Sequence, residues 1–237
     1  MASKRASTAH TKQLLSLYEQ HKHQFDYFRL QVVGFFQTSR ELNEGPLPII
    51  HSVKSRLKDI GHLKAKLERK SADGPIELEN LFKSITDLAG VRVLHLYTQQ
   101  VETLHKAILS HVKAGFWAFH EVPTAYSWDP ETTGYFQRLG LNAVTRESYY
   151  TSVHYVVKPQ PNIDITCEIQ VRTLFEEAWG EIDHTFNYPN PTDVLACREQ
   201  LRVLAKLAST GTRLADSIFR ISDAERPHVA PRKRSRA

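Results

Sequence analysis

The stretch from Arg146 to His184 constrains the fold more than any other part of the chain, because its side chains change period within a few dozen residues. Tyr149 to Val157 is β-branched or aromatic, Pro159, Pro161 and Asn162 interrupt the run, and Ile163 to Thr173 resumes it. That pattern predicts two strands joined by a longer hairpin loop. Residues two apart on a strand share a face. Tyr150, Ser152 and His154 therefore fall together on the first strand and Glu168, Gln170 and Arg172 on the second, while Ile165, Cys167, Ile169 and Val171 take the other face. A solvated outer face is the ordinary reading of such alternation. Here the polar set is a carboxylate, an amide, a guanidinium, an imidazole and a phenol, which points to the lining of a site. From Leu174 to Phe186 the period becomes helical, with Phe175, Ala178, Trp179, Ile182 and Phe186 expected inward and Glu176 and Glu177 in the first turn.

Upstream, residues 1–10 are small, polar and basic and are expected to be disordered. Leu14, Tyr18, Phe25, Phe28, Val32 and Phe35 recur at steps near three and four, so Thr11 to Ser39 reads as a long amphipathic helix, ended by Gly45, Pro46 and Pro48. His51 to Lys70 reads as a second helix, with Val53, Leu57, Ile60, Leu63 and Leu67 as its apolar stripe. Lys58, His62 and Lys66 lie four apart on another face with Arg56 close by, and like charges at that spacing cost a few tenths of a kcal/mol per pair unless an anion neutralises them. A short helix around Ile76 to Ser84 leads to Asp87 and an apolar strand, Val91 to Tyr97. Asp87 at the mouth of a strand is either a cap or turn residue or, paired with Glu168, half of a carboxylate site for an oxygen-seeking cation. Val101 to Val112 is an amphipathic helix, Phe116 to Val122 a strand, and Pro123 to Val144 a long loop of the kind that often carries function. Thr192 is the expected N-cap of a last helix to about Ile221, and the basic tail from Arg226, with Arg232, Lys233, Arg234 and Arg236, is either a solvated end or an RNA-binding arm.

With 237 residues, 41% of them hydrophobic and 24% charged, the chain is long enough to bury a real core. It has no apolar run long enough to cross a bilayer and no signal-peptide pattern behind Met1, so a cytoplasmic location is expected. Cys167 and Cys197 are too few for a disulfide framework or a zinc site. The formal charge of +5 suits an anionic substrate or RNA without choosing between them.

Tyr150-x-Ser152-x-His154, then Glu168-Ile-Gln-Val-Arg-Thr173, then Trp179 and Glu181-Ile-Asp-His184 resemble the synthetase domain of the RelA/SpoT family. Arg56-x-Lys58 with Lys66, and Asp87-x-x-Gly90-x-Arg92, are similar to that family's upstream elements. Each motif alone is weak, but the set in family order over about residues 46–190 is specific. The resemblance implies an α+β fold, nucleotidyltransferase-like, with a mixed, mainly antiparallel sheet flanked by helices. It implies a helical extension over 11–45, a synthetase core over 46–190, a C-terminal helix over 191–222 and a tail over 223–237. The family moves pyrophosphate from ATP to the 3′ hydroxyl of GDP or GTP, making (p)ppGpp. By resemblance, Asp87 and Glu168 are catalytic and hold Mg²⁺, Arg56, Lys58, Lys66 and Arg92 bind ATP, and Arg146, Tyr150, His154 and Gln170 bind the acceptor. Three positions depart from the family pattern: His62 replaces Ser, Arg146 replaces Lys and Tyr149 replaces Gly. The family's hydrolase His-Asp pair is missing, so a stand-alone synthetase is expected, associating through its terminal helices with the aromatic-rich first helix as the candidate interface. Two other readings stay open: the same chemistry on an adenine nucleotide or on the 3′ end of tRNA, and a non-catalytic nucleotide- or RNA-binding module.

Overall fold

The computed structural model describes residues 2–45, 47–70, 74–188 and 191–225. Its elements run α1 (Ala2–Thr38), α2 (Arg40–Asn43), β1 (Ser52–Leu57), α3 (Ile60–Lys70), α4 (Leu81–Ser84), β2 (Ala89–His95), α5 (Gln100–Lys113) and β3 (Ala118–Phe119). They continue with β4 (Thr124–Ser127), α6 (Pro130–Arg138), β5 (Asn142–Thr145), β6 (Ser152–Lys158), β7 (Cys167–Thr173), α7 (Leu174–Asn187) and α8 (Leu195–Glu225). The sheet has the order β1-β2-β7-β6-β4-β5, with β3 paired to β6. Among the described residues only the β2–β7 and β4–β5 pairs are parallel, so the sheet is mixed and mainly antiparallel, and helices flank it as the α+β reading expects.

Alternation on the central strands separates a dry face from a polar one. Val91 and Val93 of β2, Cys167, Ile169 and Val171 of β7, and Val153, Tyr155 and Val157 of β6 are all at most 1% exposed. Helix α1 closes that face with Leu14, Tyr18, Phe25, Phe28, Val32 and Phe36, which are buried in the same core. At roughly 1.5–3 kcal/mol per fully buried large apolar side chain, this stripe makes α1 part of the domain core. It starts at Ala2, so it reaches back through the stretch expected to be disordered. Most of its aromatic residues are taken up in this core, while Tyr27 stays 67% exposed.

Several expected elements are corrected. His51 to Lys70 is not one helix but β1 followed by α3. Asp59 marks the break: its side chain accepts the N–H of Gly61 (2.7 Å) and of His62 (3.3 Å), capping α3. The supposed loop Pro123 to Val144 contains β4, α6 and β5. Asp129 caps α6 by accepting the Thr132 N–H, and Pro130 fills the first helical position, where a missing N–H costs nothing. The strands of the central hairpin are shorter than the apolar runs, β6 starting after Tyr150 and β7 after Thr166. On α7 only Trp179 of the expected inward set is buried, while Phe175, Ala178, Ile182 and Phe186 are exposed. Thr192 does not cap α8, which begins at Leu195; it accepts the Val194 N–H instead. The basic tail from Arg226 lies outside the described residues. No described helix is long and apolar enough to cross a membrane.

Candidate active site

The polar face is assembled by register. Arg56 lies opposite Gly90, Lys54 opposite Arg92, Gly90 opposite Glu168, Arg92 opposite Gln170, and Gln170 opposite His154. These alternate positions on four adjacent strands put the polar side chains in one field. A cleft of about 210 Å³ opens between them, lined by Arg56, Asp87, Arg92, Glu168, Gln170 and Glu181 among others.

Asp87 lies just before β2. Lys58, at the joint between β1 and α3, and Lys66, two turns along α3, both reach its Oδ2, at 2.9 and 2.8 Å. The helical stripe imagined for these lysines does not exist, yet the fold still brings them to the same carboxylate. The buried Tyr18 of α1 helps, donating its hydroxyl to the Lys58 carbonyl at 2.9 Å. Burial pushes the Asp87 carboxyl up, but the charges and hydrogen bonds of Lys66 and Lys58 outweigh it and hold the group below the usual carboxylate range. Its other oxygen, Oδ1, is buried with no hydrogen-bond partner among the described residues.

Glu168 belongs to a closed ring of hydrogen bonds. Arg172 donates to Gln170 Oε1 (2.6 Å), Gln170 donates to Glu168 Oε2 (2.7 Å), and His154 Nδ1 lies 3.2 Å from Glu168 Oε1. His154 Nε2 is 2.8 Å from the Tyr150 hydroxyl, and Arg172 donates to that hydroxyl at 2.8 Å, closing the ring. A carboxylate only accepts, so the proton sits on His154 Nδ1, and in the neutral ring Nε2 accepts from Tyr150. Burial raises the Glu168 carboxyl and the nearby Asp87 charge adds to this; the bonds from His154 and Gln170 win and keep it low. The two carboxylates therefore sense each other across the cleft. Burial raises the Tyr150 phenol, leaving it a neutral donor.

The residues expected on the acceptor side cluster around rings. Tyr126 of β4 meets His154 edge-on at 5.0 Å and lies 6.4 Å from Tyr150. Arg146 places its guanidinium 4.4 Å from the Tyr126 ring centre. Tyr149 is in the left-handed region (φ 61°), where an ordinary side chain is strained, and its ring contacts Trp128 at 5.0 Å. That is a conformation glycine adopts freely, so a tyrosine here carries backbone strain.

The sequence reading missed Lys54, Tyr126 and Glu177. Glu177 is 5% exposed and accepts from Lys54 (3.0 Å) and Arg92 (2.8 Å) through Oε1, while Arg172 Nη1 lies 3.4 Å from Oε2. Arg92 also bonds Glu181. One carboxylate thus holds cations from three strands. Glu177 reaches them because Thr173 and Glu176 form a reciprocal capping box that starts α7 at the very end of β7. Thr-x-x-Glu was the available signal, though it locates the helix start and not the cation cluster. His184 stacks on Tyr188 (4.5 Å) at the far end of α7.

A mixed sheet with two facing acidic groups amid Lys and Arg defines a class of site suited to polyphosphate substrates. Comparison with known proteins agrees. The profile described as the region found in RelA / SpoT proteins matches residues 55–193, and the chain belongs to the RelA/SpoT family. It is 23% identical over 214 residues to the GTP pyrophosphokinase YwaC of Bacillus subtilis (strain 168), covering 85% of this chain and 91% of that one. Its fold is similar to that of the small alarmone synthetase 1 of Bacillus subtilis bound to its product pppGpp (TM-score 0.63, 20% identity, 91% of this chain and 99% of the other). It is also similar to a GTP pyrophosphokinase family protein of Streptococcus pneumoniae (TM-score 0.60, 21% identity, 88% and 92% covered).

Proposed function

We propose that the chain is a pyrophosphotransferase that moves the β,γ-pyrophosphate of ATP to the 3′ hydroxyl of GDP or GTP, giving (p)ppGpp and AMP. The observation that carries this reading is the joining of Glu168 to both halves of the site. It faces Asp87 in the charged cleft and bonds His154 and, through it, Tyr150 on the ring-lined side. The acceptor 3′ oxygen attacks the β-phosphorus in line, an oxygen–phosphorus bond forms, and the bond from that phosphorus to the α,β-bridging oxygen breaks.

Arg56, Lys58, Lys66 and Arg92 hold the triphosphate and adenine of ATP. Lys58 and Lys66 are free to do so once Asp87 finds another cationic partner. Asp87 and Glu168 fit a Mg²⁺ ion: both are oxygen donors lining one cleft, and the buried Asp87 Oδ1 lacks any partner. Mg²⁺ supplies neutralisation of developing phosphate charge. On the other side Tyr150 stacks on the acceptor base, Arg146 and His154 meet its phosphates or sugar, and Gln170 orients Glu168. Alignment and charge neutralisation account for most of the rate.

The test is to incubate the purified chain with Mg²⁺ and ATP labelled on its γ-phosphate, offering GDP, GTP, ATP or bulk tRNA in parallel. Label on a guanine nucleotide upholds the reading. Label on tRNA or ATP alone keeps the chemistry and replaces the acceptor, and no label on any acceptor, with nucleotide still bound, makes the chain a binding module. The enzyme acts in the cytoplasm. It self-associates through α8, where Val203, Leu207, Leu214, Ile218 and Ile221 form an exposed stripe at near-heptad spacing. Light scattering of Leu207→Lys/Leu214→Lys, monomeric where the parent is not, checks that part.

A further inference from the structure

A second cleft, of about 300 Å³, shares no residue with the first. It forms where the start of α5, one face of α6 and one face of α8 meet. Arg138 of α6 and Arg213 and Arg220 of α8 bring three guanidinium groups to its walls, with Tyr135, Thr98 and Asp216 between them. The helical spacing explains the gathering: Arg213, Asp216 and Arg220 sit at i, i+3 and i+7 on α8, and Tyr135 and Arg138 at i and i+3 on α6.

The corner is pinned rather than loose. Asp216 accepts the Gln99 N–H at 3.0 Å, Tyr135 donates its hydroxyl to the Gln99 carbonyl at 3.3 Å, and Phe219 stacks on Tyr97 at 4.3 Å. Arg213 is already neutralised, by Asp129 and by Glu131 at 3.1 Å. Arg138 and Arg220 are different: among the described residues neither has a carboxylate at ion-pair distance, and Arg138 instead lies 5.8 Å from the Tyr135 ring centre. Burial pushes the Asp216 carboxyl up, against the bonds from Gln99 and Thr98 and the more distant charge of Arg220. Two guanidinium groups without a carboxylate at ion-pair distance, lining a cleft of this size, suit a small phosphorylated ligand.

We propose that this cleft is a second anion site, which holds the phosphate of a small phosphorylated molecule between Arg138 and Arg220 and presents the Tyr135 ring beside it. The proposal is independent of what the first cleft does.

Equilibrium dialysis of the full chain with radiolabelled pyrophosphate, and separately with radiolabelled GMP, tests it. In an Arg56→Ala/Lys66→Ala/Arg146→Ala/Tyr150→Ala background both halves of the first site are disabled, and one site per chain is expected to remain. Adding Arg138→Gln and Arg220→Gln should weaken that site by about 10- to 100-fold, the worth of a charged hydrogen-bonded pair. The substituted arginines are exposed, so thermal unfolding should not move. GMP bound more tightly than pyrophosphate places a base against Tyr135, whereas equal binding makes the free anion sufficient; both uphold the site. No residual binding in the first-cleft variant, or binding that ignores the arginine pair, overturns it.

Discussion

Consecutive residues of β7 show how differently the two faces of one sheet are finished. Cys167, Ile169 and Val171 are 0–1% exposed and pack with the residues of α1 in a core that needs no ligand. Glu168, Gln170 and Arg172 alternate with them and are bound into a ring of hydrogen bonds and a web of ion pairs. That web is incomplete. Among the described residues Asp87 Oδ1, on a residue that lines the cleft, and Arg172 Nε are buried without a hydrogen-bond partner, and each such atom costs about 1–3 kcal/mol. The dry face is arranged for stability alone; the polar face keeps unmet hydrogen-bonding capacity where a substrate or ion would supply it.

Neighbouring substitutions sharpen this contrast most. Glu168→Gln is expected to lower pyrophosphate transfer on the order of 10³-fold, by removing one of the two opposed charges, while the melting temperature changes little. Ile169→Ala, one residue on, should do the reverse. A fully buried Ile truncated to Ala costs about 2–5 kcal/mol of stability, read by denaturant titration, with kcat/KM of the folded protein unchanged. A Glu168→Gln enzyme that turns over, or an Ile169→Ala enzyme that is stable but slow, would break the comparison.

Why one face was more legible than the other follows from range. The alternation over Tyr149 to Thr173 is local, so both faces of the central hairpin could be read, and Asp87, Arg56 and Glu168 do line a single cleft. The error at His51 to Lys70 arose because Val53, Leu57, Ile60 and Leu63 satisfy a helical period across a strand–helix joint. Only three residues, Val53, Ser55 and Leu57, carry the strand period, and Asp59 is the one local signal of the helix start. The cations gathered on Glu177 were invisible for another reason. Lys54 and Glu177 are 123 residues apart, and their contact depends on the β1–β2–β7 register, which no local pattern states. On α7, Phe175, Ile182 and Phe186 follow the apolar period of a buried stripe yet remain exposed, so periodicity revealed the helix but not what covers it.

The dry face also buries a histidine. His95, at the end of β2, is 1% exposed; its Nδ1–H donates to the Tyr97 carbonyl at 3.0 Å, and its Nε2 has no hydrogen-bond partner among the described residues. Burial pushes its pKa down from 6.5 to about 4, against the smaller raising effect of that bond. The unfolded chain therefore binds the proton more tightly. The stability contributed by a neutral His95 is fully present above pH 6.5 and is lost as pH falls towards 4, by about 3 kcal/mol. Comparing melting temperatures over that window should show a steep fall in the parent and a shallower one in His95→Leu. Parallel curves would mean that the dry face is not closed at this end.

The smallest effect separates the two roles of Tyr150. Its hydroxyl is a member of the ring around Glu168, and its aromatic face is the proposed seat of the acceptor base. Tyr150→Phe keeps the face and removes the hydroxyl, which should cost roughly 0.5–1.5 kcal/mol, about 10-fold or less in kcat/KM for the acceptor. Tyr150→Ala removes both and adds the loss of a stack worth roughly 1–3 kcal/mol. The KM for ATP should not follow either change, since Tyr150 has no bond to the lysines or to Asp87. If the Phe and Ala variants lose the same amount, the ring of hydrogen bonds is what positions the acceptor side, and stacking contributes nothing. If the ATP KM rises with the acceptor KM, the ring transmits the loss through Glu168, and the two halves of the polar face form one cooperative unit.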